Sequence, residues 1–183
     1  QVKPRRIKLS LSRFTALGSL PPRYFLATRA ATASSAGGKT AKAWTDTVGA
    51  LEGLGSTLGT DLVAGSSGTD NGYLMAGIAY YAHSNDIRTE LPGTQTIETY
   101  WMDVLEDGYA NKNQYWLAAK YGGYKKPDPK APPSAFNPST DIWGGLDVKK
   151  TNIRRYNGYE LPNNYYPASK PDDMFLGLQN AFM

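Results

Sequence analysis

Residues 94–121 constrain the architecture of this chain more than any other stretch. Positions 94–104 read TQTIETYWMDV, rich in β-branched and aromatic residues, and predict a buried strand. Asp107-Gly108 breaks it. Positions 114–121 then read QYWLAAKY, where Trp116, Leu117 and Ala119 suit a short helix closed by Gly122-Gly123. A buried strand that feeds a helix is the unit from which α/β layers are built, so covering helices are expected elsewhere.

Two upstream segments supply them. Residues 70–88 predict a mostly buried helix, with Asp70 as N-cap, a stripe of Leu74, Ile78, Tyr81 and Ala82, and Met75, Ala76 and Ala79 widening it. Residues 40–54 place Trp44, Val48, Leu51 and Leu54 at spacings of four, three and three, although Gly49 and Gly53 weaken that helix. Residues 96–104 are thus expected as an interior strand beneath helices at 74–82 and 114–120. Residues 58–68 are rich in glycine and serine, and their apolar centre is too short to assign.

Towards the C-terminus, residues 125–139 hold five prolines and no periodicity, which leaves only loop or extended structure. Residues 141–159 are expected to form an irregular excursion anchored by Trp143 and Tyr156. NYYPA at 164–168 suits a short strand. Residues 170–183 suit a closing helix, with Pro171 in its first turn, Asp172 and Asp173 complementing the dipole, and Met174, Leu178 and Phe182 on one side. The expected organisation is an N-terminal arm and linker at 1–39, then one α/β module at 40–183 with a proline-rich excursion at 125–160.

Charge separates that arm from the body. Residues 1–45 contain nine Lys or Arg and no Asp or Glu, so the remaining chain carries eleven basic against sixteen acidic residues. Within the arm, residues 6–14 (RIKLSLSRF) alternate Ile7, Leu9 and Leu11 with polar residues, the period of a half-buried strand. Residues 23–28 suit a second short strand, and 30–38 a flexible linker. A basic strand with one apolar face fits an acidic acceptor, which makes Arg5, Arg6, Ile7, Lys8, Leu9, Leu11 and Arg13 the candidate partner-binding residues. Nucleic acid is the weaker partner, because these cations are not interleaved with many aromatic residues. No run approaches the roughly 18 apolar residues that cross a bilayer. The first residues also lack the apolar core of an intact signal peptide, so any export signal is expected to have been removed or to lie outside this sequence.

No catalytic constellation emerges. Cysteine is absent and His83 is the single histidine, which excludes disulfides and thiolate chemistry and leaves His83 a capping or surface role near a helix end. No Gly-x-Ser-x-Gly elbow occurs, GSSG at 65–68 lacks the lysine of a phosphate loop, and GLGSTLG at 53–59 lacks a complete dinucleotide fingerprint. Asp103, Glu106 and Asp107 gather at a strand end, where a solvated turn is the expectation, and Asp86 with Arg88 suits an ion pair closing a helix. The reading is a non-enzymatic chain without cofactor.

The order of helix, strand, helix and strand–helix pair resembles the C-terminal half of a von Willebrand factor A domain. LMAGIAYYAHSNDIRTELPGTQTIETYWMDV, then NQYWLAAKYGGY, then LPNNYYPASKPDDMFLGLQNAF, resemble the PilY family of type IV pilus tip adhesins over about residues 70–183. That resemblance implies a partial or degenerate A-like, Rossmann-like sheet with flanking helices. It also implies an extracellular bacterial protein whose partners are other pilus or filament subunits, or a host or surface receptor. The alternative is a structural filament subunit whose basic arm docks on a neighbour. The Asp-x-Ser-x-Ser loop of a metal-dependent adhesion site is missing: Ser10 and Ser12 have the spacing, but Lys8 stands where the aspartate belongs. YKKPDPKAPP after Gly123 is equally unlike a calcium loop, so no metal ligand is carried over.

Overall fold

The protein was characterised as a computed structural model in which residues 7–8, 40–64, 70–105, 108–169 and 171–182 are described. The expected strand at 23–28 and linker at 30–38 lie outside the described residues. Helix α1 (Ala41–Glu52) begins where Thr40 Oγ1 accepts the Ala43 amide at 3.2 Å, and it ends at Gly53. Its buried side is Ala41, Thr45, Val48 and Gly49, whereas Leu51 and Leu54 are exposed. The buried face is therefore rotated from the stripe that the large residues suggested.

Helix α2 (Leu74–Ser84) explains the rotation. Its buried residues are Ala76, Gly77, Ala79, Tyr80, Ala82 and Ser84, while Ile78, expected in the core, is 41% exposed. The two helices pack so closely that a Cβ on Gly77 would stand 2.3 Å from Thr45 Oγ1 and 2.7 Å from the Ala41 carbonyl oxygen. Small residues on α2 are selected for that contact, and Ile78 is turned outward. The N-cap expectation is also corrected. Asp70 lies in β3 (Asp70–Gly72), antiparallel to β2 (Leu62–Ala64), and Tyr73 precedes α2 without a side-chain cap.

Helix α3 (Gln114–Tyr121) matches its sequence signal. Asn113 Oδ1 accepts the amides of Tyr115 at 3.0 Å and Trp116 at 2.8 Å, and every residue from Trp116 to Tyr121 is buried. The burial is nearly all round because α3 contacts α2, β5 (Trp101–Asp103) and β8 (Tyr165–Pro167). β5 and β8 are parallel, with Trp101 opposite Tyr165, Met102 opposite Tyr166 and Asp103 opposite Pro167. The interior strand expected at 96–104 is interrupted. β4 (Ile97–Glu98) is separate from β5, and at the break the Thr99 amide donates to the Gly122 carbonyl at 2.7 Å. β1 (Ile7–Lys8) runs parallel to β4, with Ile7 opposite Ile97 and Lys8 opposite Glu98. Among the described residues the strands form two-stranded ladders.

The core is aromatic. Tyr80, Trp116, Tyr121, Tyr124, Phe136 and Tyr165 cluster with Val48, Leu58, Leu117 and Leu161. The proline-rich segment is irregular, as its composition requires, but well tied. The Phe136 amide donates to Tyr80 Oη at 3.0 Å, and Asp141 Oδ2 accepts from Lys126 Nζ at 2.7 Å and the Asn137 amide at 2.8 Å. Farther on, the irregular excursion expected at 141–159 ends in a hairpin of β6 (Arg155–Tyr156) and β7 (Tyr159–Glu160). Asn157 and Gly158 turn it at φ of 49° and 83°, the paired left-handed residues of a type I′ turn. Trp143 and Tyr156 do anchor the excursion, through ring contacts with Trp116 and Tyr109. Arg154 Nη2 donates at 2.8 Å to each of the carbonyls of Pro162, Asn163 and Tyr165, fixing the approach to β8. Helix α4 (Pro171–Phe182) lies on β8 with Gly177 buried, and it leaves Phe175, Leu176 and Phe182 exposed. Met174 and Leu178, expected on one side with Phe182, are exposed too.

Candidate functional site

Of the residues singled out on the basic arm, Ile7 and Lys8 are found in β1, paired with β4 of the same chain. Arg5, Arg6, Leu9, Leu11 and Arg13 lie outside the described residues. His83 is not a surface cap: Nε2 lies 2.7 Å from the Tyr124 carbonyl and Nδ1 3.3 Å from that of Ile97, linking α2 to the loop after α3 and to β4. Burial holds its pKa below the ordinary value against the pull of those carbonyls, so the ring is neutral at pH 7. Asp103 is buried and not part of a solvated turn. It accepts from Tyr165 Oη at 2.5 Å, from Asn113 Nδ2 at 3.3 Å and from the Leu105 amide at 3.0 Å. Glu106 and Asp107 lie outside the described residues. Arg88 pairs with Glu90, while Asp86 Oδ1 accepts the amides of Arg88 and Gln95.

The structure instead assembles charge where no local motif announced it. At the end of α1, Glu52 turns its carboxylate inward to 5% exposure, where Lys120 of α3, Lys112 at 3.0 Å and Tyr121 Oη at 2.8 Å converge on it. Lys112 also donates to the Glu52 carbonyl at 2.8 Å, and its backbone is left-handed at φ 57°. Lys120 is 8% exposed, and its ammonium lies 4.2 Å from the Trp143 ring centroid and 5.3 Å from that of Trp116. Trp116 and Lys120 are four residues apart on α3, which places both on one face.

Across the opening, Glu160 of β7 accepts from Lys150 at 2.6 Å and from Arg155 at 2.9 Å. Lys150 lies 4.3 Å from the Trp143 ring centroid, so two ammonium groups share one indole. The Trp116 indole N–H donates to the Glu160 carbonyl at 3.0 Å and ties the hairpin to α3. Between these groups is an open cleft of about 400 Å³, lined also by Asn111, Gly158 and Tyr159.

The electrostatics favour charged side chains held in place. Burial pushes the Glu52 carboxyl up, yet the charge and hydrogen bond of Lys120 with the bonds from Lys112 and Tyr121 outweigh it and leave the pKa below the ordinary value. Glu52 is ionised at neutral pH. Burial lowers the pKa of Lys120 against the pull of Glu52, and burial beside that carboxylate raises Tyr121 far above the tyrosine range. The Lys150 hydrogen bond holds Glu160 below the usual carboxylate value. Ionised carboxylates clamped between cations suit recognition of charge better than proton transfer, for which a pKa near the working pH is wanted. Among the described residues no group of three or more His, Asp or Glu is arranged to hold a metal ion. None of their helices is long and apolar enough to cross a membrane.

Sequence alone missed this cleft. The Trp116/Lys120 pair on α3 was its one local signal, because Glu52, Lys150, Arg155 and Glu160 join it only through the packing of α1 and the hairpin.

The chain is 37% identical over 129 residues to the type IV pilus biogenesis factor PilY1 homolog of Xylella fastidiosa, a match that covers 66% of this chain. The matched stretch is 10% of that relative, so the chain spans only a small part of its length. No protein-family model matches the chain, and no solved structure matches it.

Proposed function

We propose that the chain is a module of an extracellular type IV pilus-associated protein, an adhesin or assembly component that works through protein contacts and not by catalysis. The observation that carries this reading is the 37% identity to a relative named a pilus biogenesis factor. The cleft supports it from a second direction, since paired charges and aromatic rings suit binding. The parallel β5–β8 pair with α3 packed on it supports treating the body as a partial, A-domain-like α/β module. Its partners are other pilus subunits or a surface receptor. Excising the coding segment for residues 40–183 in the native cell tests the proposal. Fewer surface pili in electron micrographs, or weaker attachment to a surface, is the expected result. Unchanged pilus number together with unchanged attachment would reject it.

A further inference from the structure

The geometry points to the cleft between α1, α3 and the β6–β7 hairpin as a docking site for an acidic peptide segment of a partner protein, one that presents two carboxylates. This deepens the pilus reading and rests on it only for the partner being a protein. The first argument is charge. Four cations, Lys112, Lys120, Lys150 and Arg155, line the cleft against two carboxylates, Glu52 and Glu160. Each carboxylate is shared between two cations, Glu52 between Lys112 and Lys120, and Glu160 between Lys150 and Arg155. Each triad keeps one positive charge in excess. A carboxylate entering each triad completes an alternating array, so two are accommodated. An ammonium carries three donors and a guanidinium five, more than the glutamates accept.

Exposure divides the site into floor and rim. The Glu52–Lys120 pair is buried, while Lys112, Lys150 and Arg155 are 33%, 35% and 53% exposed and can meet a ligand without breaking their internal pairs. A volume of about 400 Å³ sits at the lower end of ligand clefts and suits a few side chains. Tyr159, half exposed at the edge, offers apolar surface to the backbone of a bound segment.

Other occupants fit less well. A sugar would want a bare aromatic face and neutral polar groups, yet two ammoniums lie over the Trp143 ring and Asn111 is the one neutral amide side chain in the lining. A nucleic acid would bring an unbroken run of phosphates onto Glu52 and Glu160. The chain's own arm is excluded by sign, because residues 1–45 carry nine basic and no acidic residues.

The test titrates the purified full chain, so it does not depend on where pili carry the protein and can fail separately from the pilus reading. The probes are a capped hexapeptide of alternating glycine and glutamate, its glutamine counterpart, an oligogalacturonate and inorganic phosphate, read by the emission of the cleft tryptophans. The glutamate peptide is expected to give a saturable change that the glutamine peptide lacks and that weakens with added salt. The Lys150→Gln/Arg155→Gln variant should bind at least tenfold more weakly, while a Lys125→Gln/Lys130→Gln variant of equal charge change, on exposed positions outside the cleft, should bind as the parent does. Should the rim variant fail to fold, Arg155→Gln alone is read in the same way. No saturable change, equal weakening by both double variants, or tighter binding of the oligogalacturonate or phosphate would overturn the assignment.

Discussion

Replacing Glu52 by Gln removes one charge from the best-buried ion pair described. The glutamate is 5% exposed and Lys120 is 8% exposed, so neither charge can recover its hydration where it stands. Losing one partner of such a pair costs about 3–5 kcal/mol, and the amide keeps an acceptor for Tyr121, which sets the expectation near about 3 kcal/mol. Lys120→Met costs less. Lys112 at 3.0 Å still faces Glu52 and Met fills similar space, so about 1–2 kcal/mol is expected, part of it from the lost contacts with Trp116 and Trp143. The double variant leaves no orphaned buried charge from this pair and should lose only about 1–2 kcal/mol, less than the Glu52→Gln single variant. The coupling in the cycle is then about 3 kcal/mol. Urea unfolding followed by tryptophan fluorescence measures all four proteins. Additive single and double effects, or a Glu52→Gln cost within experimental error, would refute the buried pair.

The contact of α1 with α2 predicts a reversal of what residue size suggests. Gly77→Val should cost several kcal/mol, because its Cβ meets the Thr45 backbone nitrogen at 2.5 Å, whereas Ile78→Asp on the exposed side should cost less than about 1 kcal/mol, both read by thermal melting. Gly158→Ala, at φ 83° in the hairpin turn, should cost about 1 kcal/mol, and an unchanged melting temperature would contradict the turn assignment. Acidification should destabilise in two stages. His83 has a folded pKa below its ordinary value of 6.5, so the unfolded chain binds the extra proton and the stability present above about pH 6.5 is lost as pH falls through the folded value. Glu52, also lowered, contributes above its ordinary value of 4.5 and is lost as pH falls through its folded value. His83→Gln should move the onset of acid loss to the carboxylate range. Chemical unfolding at pH 7, 6, 5 and 4 measures both stages, and an unaltered onset in that variant would remove His83 as the cause.

Local signals were readable where one segment decides its own structure. α3 followed from the apolar run and the glycines after it, and α4 from Pro171 and its two aspartates. Faces were not readable in that way. Which side of α1 and α2 is buried depends on how closely two backbones approach, and Gly77 against Thr45 turned the large residues outward. The Asn157-Gly158 pair was a legible hairpin signal set within polar sequence that suggested irregular structure. β5 and β8 each looked like a strand, but the join between Asp103 and Tyr165 belongs to tertiary packing. The cleft was least legible. Its two triads draw on residues 52, 112, 120, 150, 155 and 160: the second lies within residues 150–160, but the first joins residues 52, 112 and 120, and only tertiary packing brings the two together.

The proposed association with pili is open to one direct measurement. Surface filaments sheared from native cells are collected and probed with an antibody raised against this chain, alongside cells of the same strain that lack the major pilin. Recovery of the protein in the sheared filament fraction of piliated cells, and its loss from that fraction in the pilin-less strain, is the predicted result. Equal recovery from both strains, or a protein that stays wholly with the cell bodies, would contradict a role at the pilus.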